Sequence, residues 1–71
     1  MGRSTREQSI ETARQLRVIA SELFAQHGYA GVGMERIAAE AGVTRGAIYH
    51  HWSDKRALFA DVVADAQETV G

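Results

Sequence analysis

The stretch AGVTRGAIYHHWSDK, Ala41 to Lys55, decides how this chain folds. Its first four residues, Ala41-Gly42-Val43-Thr44, interrupt what would otherwise be one helical run. Glycine enters the left-handed region at a helix end without steric cost, and a threonine two residues on supplies a hydroxyl that caps a new helix. Two short helices joined this tightly form a helix-turn-helix. Ala38 is small enough to let the first of them approach its neighbours, and Val43 fills the angle between the two. The same geometry occurs in helical bundles with no nucleic-acid role, so the spacing alone leaves DNA binding and a plain αα-corner equally open.

Upstream, Ile37, Ala38 and Ala41 share one face of a segment from Met34 to Ala41. A loop, Tyr29 to Gly33, precedes it. Before that, Leu16, Ile19, Ala20, Leu23 and Phe24 recur at three- and four-residue spacing, with Arg14, Arg17, Ser21 and Glu22 opposite. This predicts an amphipathic helix from about Ile10 to His27, with Ser4, Ser9 and Thr12 as alternative caps and Gly28 as its stop. Thr12 has Gln15 at capping-box spacing. Downstream, the third segment runs to about His51. Ser53 is the expected cap of a fourth, whose apolar stripe is Leu58, Phe59, Val62, Val63 and Ala66. The expectation is an all-α chain: a flexible arm over 1–9, a helix-turn-helix domain over 10–53, and the start of a linking helix over 54–71.

Composition agrees with one small globular domain. The 71 residues are 45% hydrophobic and 24% charged, with no proline. A chain this short buries only about 60% of its unfolded surface, so its core is marginal. The absence of cysteine excludes disulfides and thiolate metal sites. No apolar run approaches the ~18 residues of a membrane span, and Met1-Gly2-Arg3-Ser4 leads into no signal-peptide core, so no membrane partner is expected and the cytoplasm is favoured. Net charge is −1 but unevenly spread. Arg3 and Arg6 outweigh Glu7 at the front, and Arg36, Arg45, Lys55 and Arg56 outweigh Glu35, Glu40 and Asp54 in the middle. The tail carries only Asp61, Asp65 and Glu68. A polyanion is therefore tolerated if the tail points away from it, because exposed charges beyond ~10 Å are largely screened.

On a helical wheel Ile48 and Trp52 fall on one side of the third segment, Gly46, Ala47 and His50 opposite, with Arg45 and Tyr49 flanking. Small residues beside a guanidinium suit a helix whose first turn enters the major groove, where bulk would hold it off the base edges. Arg45 has the donors for a bidentate contact with guanine. Tyr49, His50 and Lys55 have donors for phosphate oxygens, and the start of the fourth helix offers backbone N–H groups. The ordinary alternatives are a solvated Arg45, a half-buried Tyr49 and a core Trp52. His50 and His51 point about 100° apart on a helix and cannot chelate together, so no metal is expected. Ser53 beside Asp54 and a histidine is better explained as a helix cap than as a hydrolytic triad. A second class of function is a protein-interaction module anchored on the Tyr49–Trp52 cluster, which requires an exposed Trp52.

The run LFAQHGYAGVGMERIAAEAGVTRGAIYHHWSDKRALF, Leu23 to Phe59, resembles the N-terminal DNA-binding domain of the TetR family of bacterial repressors. The elements that carry the resemblance are LF…GY, IA…AGV, TRGAIYHH and DK..LF; the wording VTRGAIY is similar to the multidrug-efflux regulators. The resemblance implies a three-helix, homeodomain-like helix-turn-helix with a fourth helix leading to a larger ligand-binding and dimerisation domain. It implies a homodimer on a near-palindromic double-stranded operator and a small-molecule effector bound outside these residues, with no cofactor and no enzyme activity. By position, Thr44, Arg45, Gly46 and Ala47 are expected to face bases or nearby backbone. Tyr49, His50, His51 and Lys55 are expected to hold phosphates, and Gly33, Met34 and Arg36 to approach the backbone. Family members generally run to about two hundred residues, so this chain is expected to be one part of such a protein. The chain departs from the family pattern in three places: Val32-Gly33 stands where a hydroxyl pair is common, Glu35 where a basic residue occurs, and Trp52 where phenylalanine is usual.

Overall fold

The computed structural model describes residues 5–70, which form α1 (Thr5–His27), α2 (Met34–Ala41), α3 (Arg45–His51) and α4 (Lys55–Val70). Among the described residues there is no strand, and the chain is all-α. Helix α1 begins five residues before the expected Ile10, so residues 5–9 are helical rather than a flexible arm. Arg6, Glu7 and Gln8 are good helix formers with no glycine or proline among them, so the helix continues upstream of its first core residues. Ser9 and Thr12 lie within the helix and cap nothing. Residues 1–4 of the expected arm, including Ser4, lie outside the described residues, as does the side chain of Ala66.

The turn between α2 and α3 follows from Gly42. Its φ is +73°, its N–H donates to Ala39 O at 3.1 Å, and the Val43 N–H reaches back to Ala38 O at 3.0 Å. This pair of bonds is the Schellman closure, which satisfies carbonyls the helix end would otherwise orphan. Thr44 then caps α3 as expected, its Oγ1 accepting from the Ala47 N–H at 3.1 Å. The cap of α4 differs from expectation: Asp54, not Ser53, accepts the Ala57 N–H, through Oδ1 at 2.8 Å. A carboxylate is the stronger acceptor and is favoured by the positive end of a helix dipole.

The core takes Leu16, Ala20, Leu23 and Phe24 from α1, Val32 from the loop, Met34, Ile37 and Ala38 from α2, Ile48 and Trp52 around α3, and Leu58 and Val62 from α4. The first half of α4 therefore completes the packed unit. Trp52 is 7% exposed. Its indole N–H donates to Asp61 Oδ2 at 3.0 Å, and the same oxygen lies 3.7 Å from Arg17 Nη1 on α1. One carboxylate thus ties the end of α3 to both long helices. In the loop, Gly31 is forced by space: a Cβ there would lie 2.5 Å from the carbonyl oxygen of His27.

Gly42→Ala is expected to lose about 1–2 kcal/mol, since a methyl group in the left-handed region is strained even with open space around it. Gly33→Ser has the opposite sign. Gly33 caps α2 at φ −113° without a side-chain bond and with open space beside it, so a hydroxyl adds a few tenths of a kcal/mol. Urea denaturation midpoints of the two variants check both signs.

Candidate nucleic-acid interface

Ile48, fully buried, anchors α3 to the core and turns the opposite side of the helix outward. Thr44, Arg45, Gly46, Tyr49 and His50 are all exposed there. Thr44 Oγ1 accepts its capping bond, which leaves the hydroxyl proton for an outside acceptor. Ala47, expected on the outermost side, is half-buried. Gly46 is the most informative residue of the face. A Cβ added to it would meet nothing closer than Thr44 Oγ1 at 3.9 Å, so the fold has room for a larger side chain. A glycine within a helix costs up to about 1 kcal/mol relative to alanine. No contact within the fold requires the small size of position 46.

Arg45 stands between two neighbours. Its Nε lies 3.3 Å from Glu35 Oε2 on α2, and its guanidinium carbon sits 5.6 Å from the centre of the Tyr49 ring. Gly33 and Arg36 at the start of α2 are exposed as expected. Met34 is not: its side chain is 5% exposed and belongs to the core, so only its backbone N–H is available to a partner. The amphipathic pattern of α2 turns this position inward, a consequence of the helix beginning at Met34 itself.

Two expected phosphate ligands are committed elsewhere. Lys55 Nζ donates to Tyr29 O at 2.7 Å and to Val32 O at 2.8 Å, and lies 4.2 Å from the centre of the Tyr29 ring. Its ammonium staples the α1–α2 loop to α4 instead of facing outward with all its donors free. His51 is half-buried between Trp52, 5.5 Å ring to ring, and His50, 5.3 Å. Burial first, then the nearby His50 and Arg17, hold its pKa below the ordinary histidine value, which disfavours the cation that would pair with phosphate. The start of α4, also expected to take phosphate, is already occupied by the Asp54 carboxylate.

Sequence reasoning missed Tyr29. It packs on Phe24 and Phe59, with ring centres 5.8 and 5.0 Å away, and with Lys55 it fixes the loop that delivers the start of α2. An aromatic residue directly after the helix-ending Gly28 was the available signal. The anchor required by a protein-interaction module is absent from the surface, since Trp52 is buried and hydrogen-bonded.

Comparison with known proteins defines the class. The pattern of the family described as "Bacterial regulatory proteins, tetR family" matches residues 18–62, more than half of the chain. The transcriptional regulator AcrR of Shigella flexneri is 38% identical over 71 residues, covering 100% of this chain and 33% of that protein. The transcriptional repressor BepR of Brucella suis is 35% identical over 65 residues, covering 92% of this chain and 31% of its own. A probable acrEF/envCD operon repressor of Escherichia coli is 39% identical over 62 residues, 87% of this chain and 28% of its own. The chain belongs to the TetR family of DNA-binding transcriptional regulators. It spans about a third of the length of the curated relatives it matches. Among the described residues, no helix is long and apolar enough to cross a membrane.

Lys55→Met is expected to lower folding stability by about 1–3 kcal/mol, because it removes two charge-assisted bonds and leaves their carbonyls underserved. Denaturation without DNA reads this directly; unchanged stability with weakened DNA binding would return Lys55 to phosphate. His51 gives a pH dependence of definite sign. Its folded pKa is depressed, so the unfolded chain takes up the proton first as pH falls below about 6.5. The stability present above that value is lost as pH drops through the lower folded pKa. His51→Gln should flatten the loss between about pH 7.5 and pH 5.5, where most carboxylates remain ionised.

Proposed function

We propose that this chain is the operator-reading part of a ligand-responsive repressor that binds double-stranded DNA as a homodimer in the bacterial cytoplasm. The observation that carries the reading is Gly46, a glycine on the exposed face of α3 that the fold does not require. The first turn of α3 enters the major groove with Gly46 against the base edges. Arg45 reads a guanine through its terminal nitrogens, and Thr44 and Ala47 lie beside bases or adjoining backbone. Tyr49 and His50 donate to phosphates on one side; Arg36 and the backbone N–H groups following Gly33 do so on the other.

In a protein of the relatives' length, residues 10–53 with the first half of α4 form the DNA-binding domain, and the rest of α4 leads to a domain for dimerisation and effector binding. Two recognition helices then occupy successive major grooves, about 34 Å apart, on a near-palindromic operator. A small molecule bound outside these residues favours a different spacing of the two helices and releases the operator, through its unequal affinity for the two states. A probable acrEF/envCD operon repressor among the relatives supports control of an operon, and the likeness of VTRGAIY to multidrug-efflux regulators points to export genes as its target.

Selection of bound duplexes from randomised DNA by the full-length protein is the direct test, and a near-palindromic site is the expected result. Arg45→Ala should cost about 1–3 kcal/mol of operator affinity and relax preference at one base position; an equal loss on every sequence would reassign it to phosphate. Gly46→Ala should raise the thermal midpoint while weakening operator binding. If Gly46→Ala binds as tightly as the parent, the groove-entry reading of α3 is wrong. The 71-residue chain alone should bind as a monomer, ~10²–10⁴-fold more weakly than a linked dimer. A tight dimer of this chain in sedimentation would contradict that.

A further inference from the structure

Glu35 and Arg45 approach one another across the helix-turn-helix, Oε2 to Nε at 3.3 Å, from helices on either side of the Gly42 turn. The atom engaged matters. End-on recognition of guanine uses the two terminal guanidinium nitrogens, so a carboxylate on Nε orients the group without consuming the donors that read the base. The Tyr49 ring, 5.6 Å from the guanidinium carbon, bounds the same group on another side. We propose that Glu35 is a positioning residue that sets base specificity by holding Arg45 through Nε. This rests on the reading of α3 as the groove-entering helix.

In the free protein the two side chains are 68% and 70% exposed, and such a pair contributes little in water. Docking on DNA excludes water and lowers the local dielectric, which strengthens the pair at the moment the arginine meets the base. The same carboxylate stands in the first turn of α2, around which phosphates are expected. Like charge there weakens binding to any duplex. Glu35 therefore has two opposed effects, sharper base choice and lower general affinity. An acidic residue in the first turn of a helix that acts only on the helix dipole would share the second effect but not the first.

The test uses full-length protein, the duplex enriched by it from randomised DNA, single-base variants of that duplex, and an unrelated duplex. For E35Q, discrimination at the base pair read by Arg45 should fall by roughly five-fold or more, other positions keep their preferences, and affinity for the unrelated duplex rises. In an R45A background, E35Q should change no base preference. Thermal midpoints of the same variants separate these effects from folding. The inference is overturned if E35Q keeps its discrimination at that base pair, or if it alters base preference equally with Arg45 absent. Failure of the parent protein to enrich any site would instead remove the DNA reading, and this inference with it.

Discussion

The left-handed turn at Gly42 is the constraint from which the rest of the molecule follows. Two backbone bonds, to Ala39 and Ala38, close α2 within a single residue and send the chain off at a new angle. Thr44 starts α3 at once, so Ile48 drops into the core beside Ile37 while Arg45 and Gly46 remain outside. A longer connection would let α3 rotate, and its outward face would no longer be defined. The closure places residue 42 in the left-handed region, at φ +73°, which is why a glycine is needed there.

Two polar clamps hold the short helices to the long ones. Asp61 gathers Trp52 and Arg17, joining the end of α3 to α4 and α1. Lys55 gathers the carbonyls of Tyr29 and Val32, joining the loop before α2 to α4. A core of this size has few apolar contacts to spare, so half-buried hydrogen bonds with charged partners carry much of the positioning. The division of labour is physical. The Lys55 ammonium, which looks available for phosphate in the sequence, is drawn to two carbonyls in the fold, and the exposed face of α3 keeps Gly46 and Tyr49 beside one guanidinium.

On the proposed function, that face is how a chain of net charge −1 meets DNA. Phosphate attraction is only part of recognition; close approach and oriented donors supply the base-dependent part. In the proposed reading Gly46 allows the approach, and Arg45, flanked by Glu35 and Tyr49, supplies the donors. The acidic residues that lower the net charge are not incidental to this arrangement. Asp54 caps α4, Asp61 clamps Trp52, and Glu35 stands beside Arg45.

Helix order, the helix-turn-helix, the α2 and α3 boundaries, the Thr44 cap and the burial of Trp52 were legible in the sequence, because each depends on neighbours within a turn or two. Apolar periodicity and a glycine followed by a threonine are local signals, and local geometry obeys them. The upstream start of α1 was not legible, since good helix formers extend a helix past its core without leaving a hydrophobic mark. Nor was the inward turn of Met34, the half-burial of Ala47 and His51, or the capture of Lys55 by carbonyls at positions 29 and 32. The Lys55 bonds join groups 26 and 23 residues apart, beyond the reach of any local pattern. The sequence by itself determined which helix faces outward. Only the tertiary structure decided which of its charged side chains remain free to meet a partner, because an ammonium or imidazole goes to the strongest acceptor or driest surface that packing brings within reach.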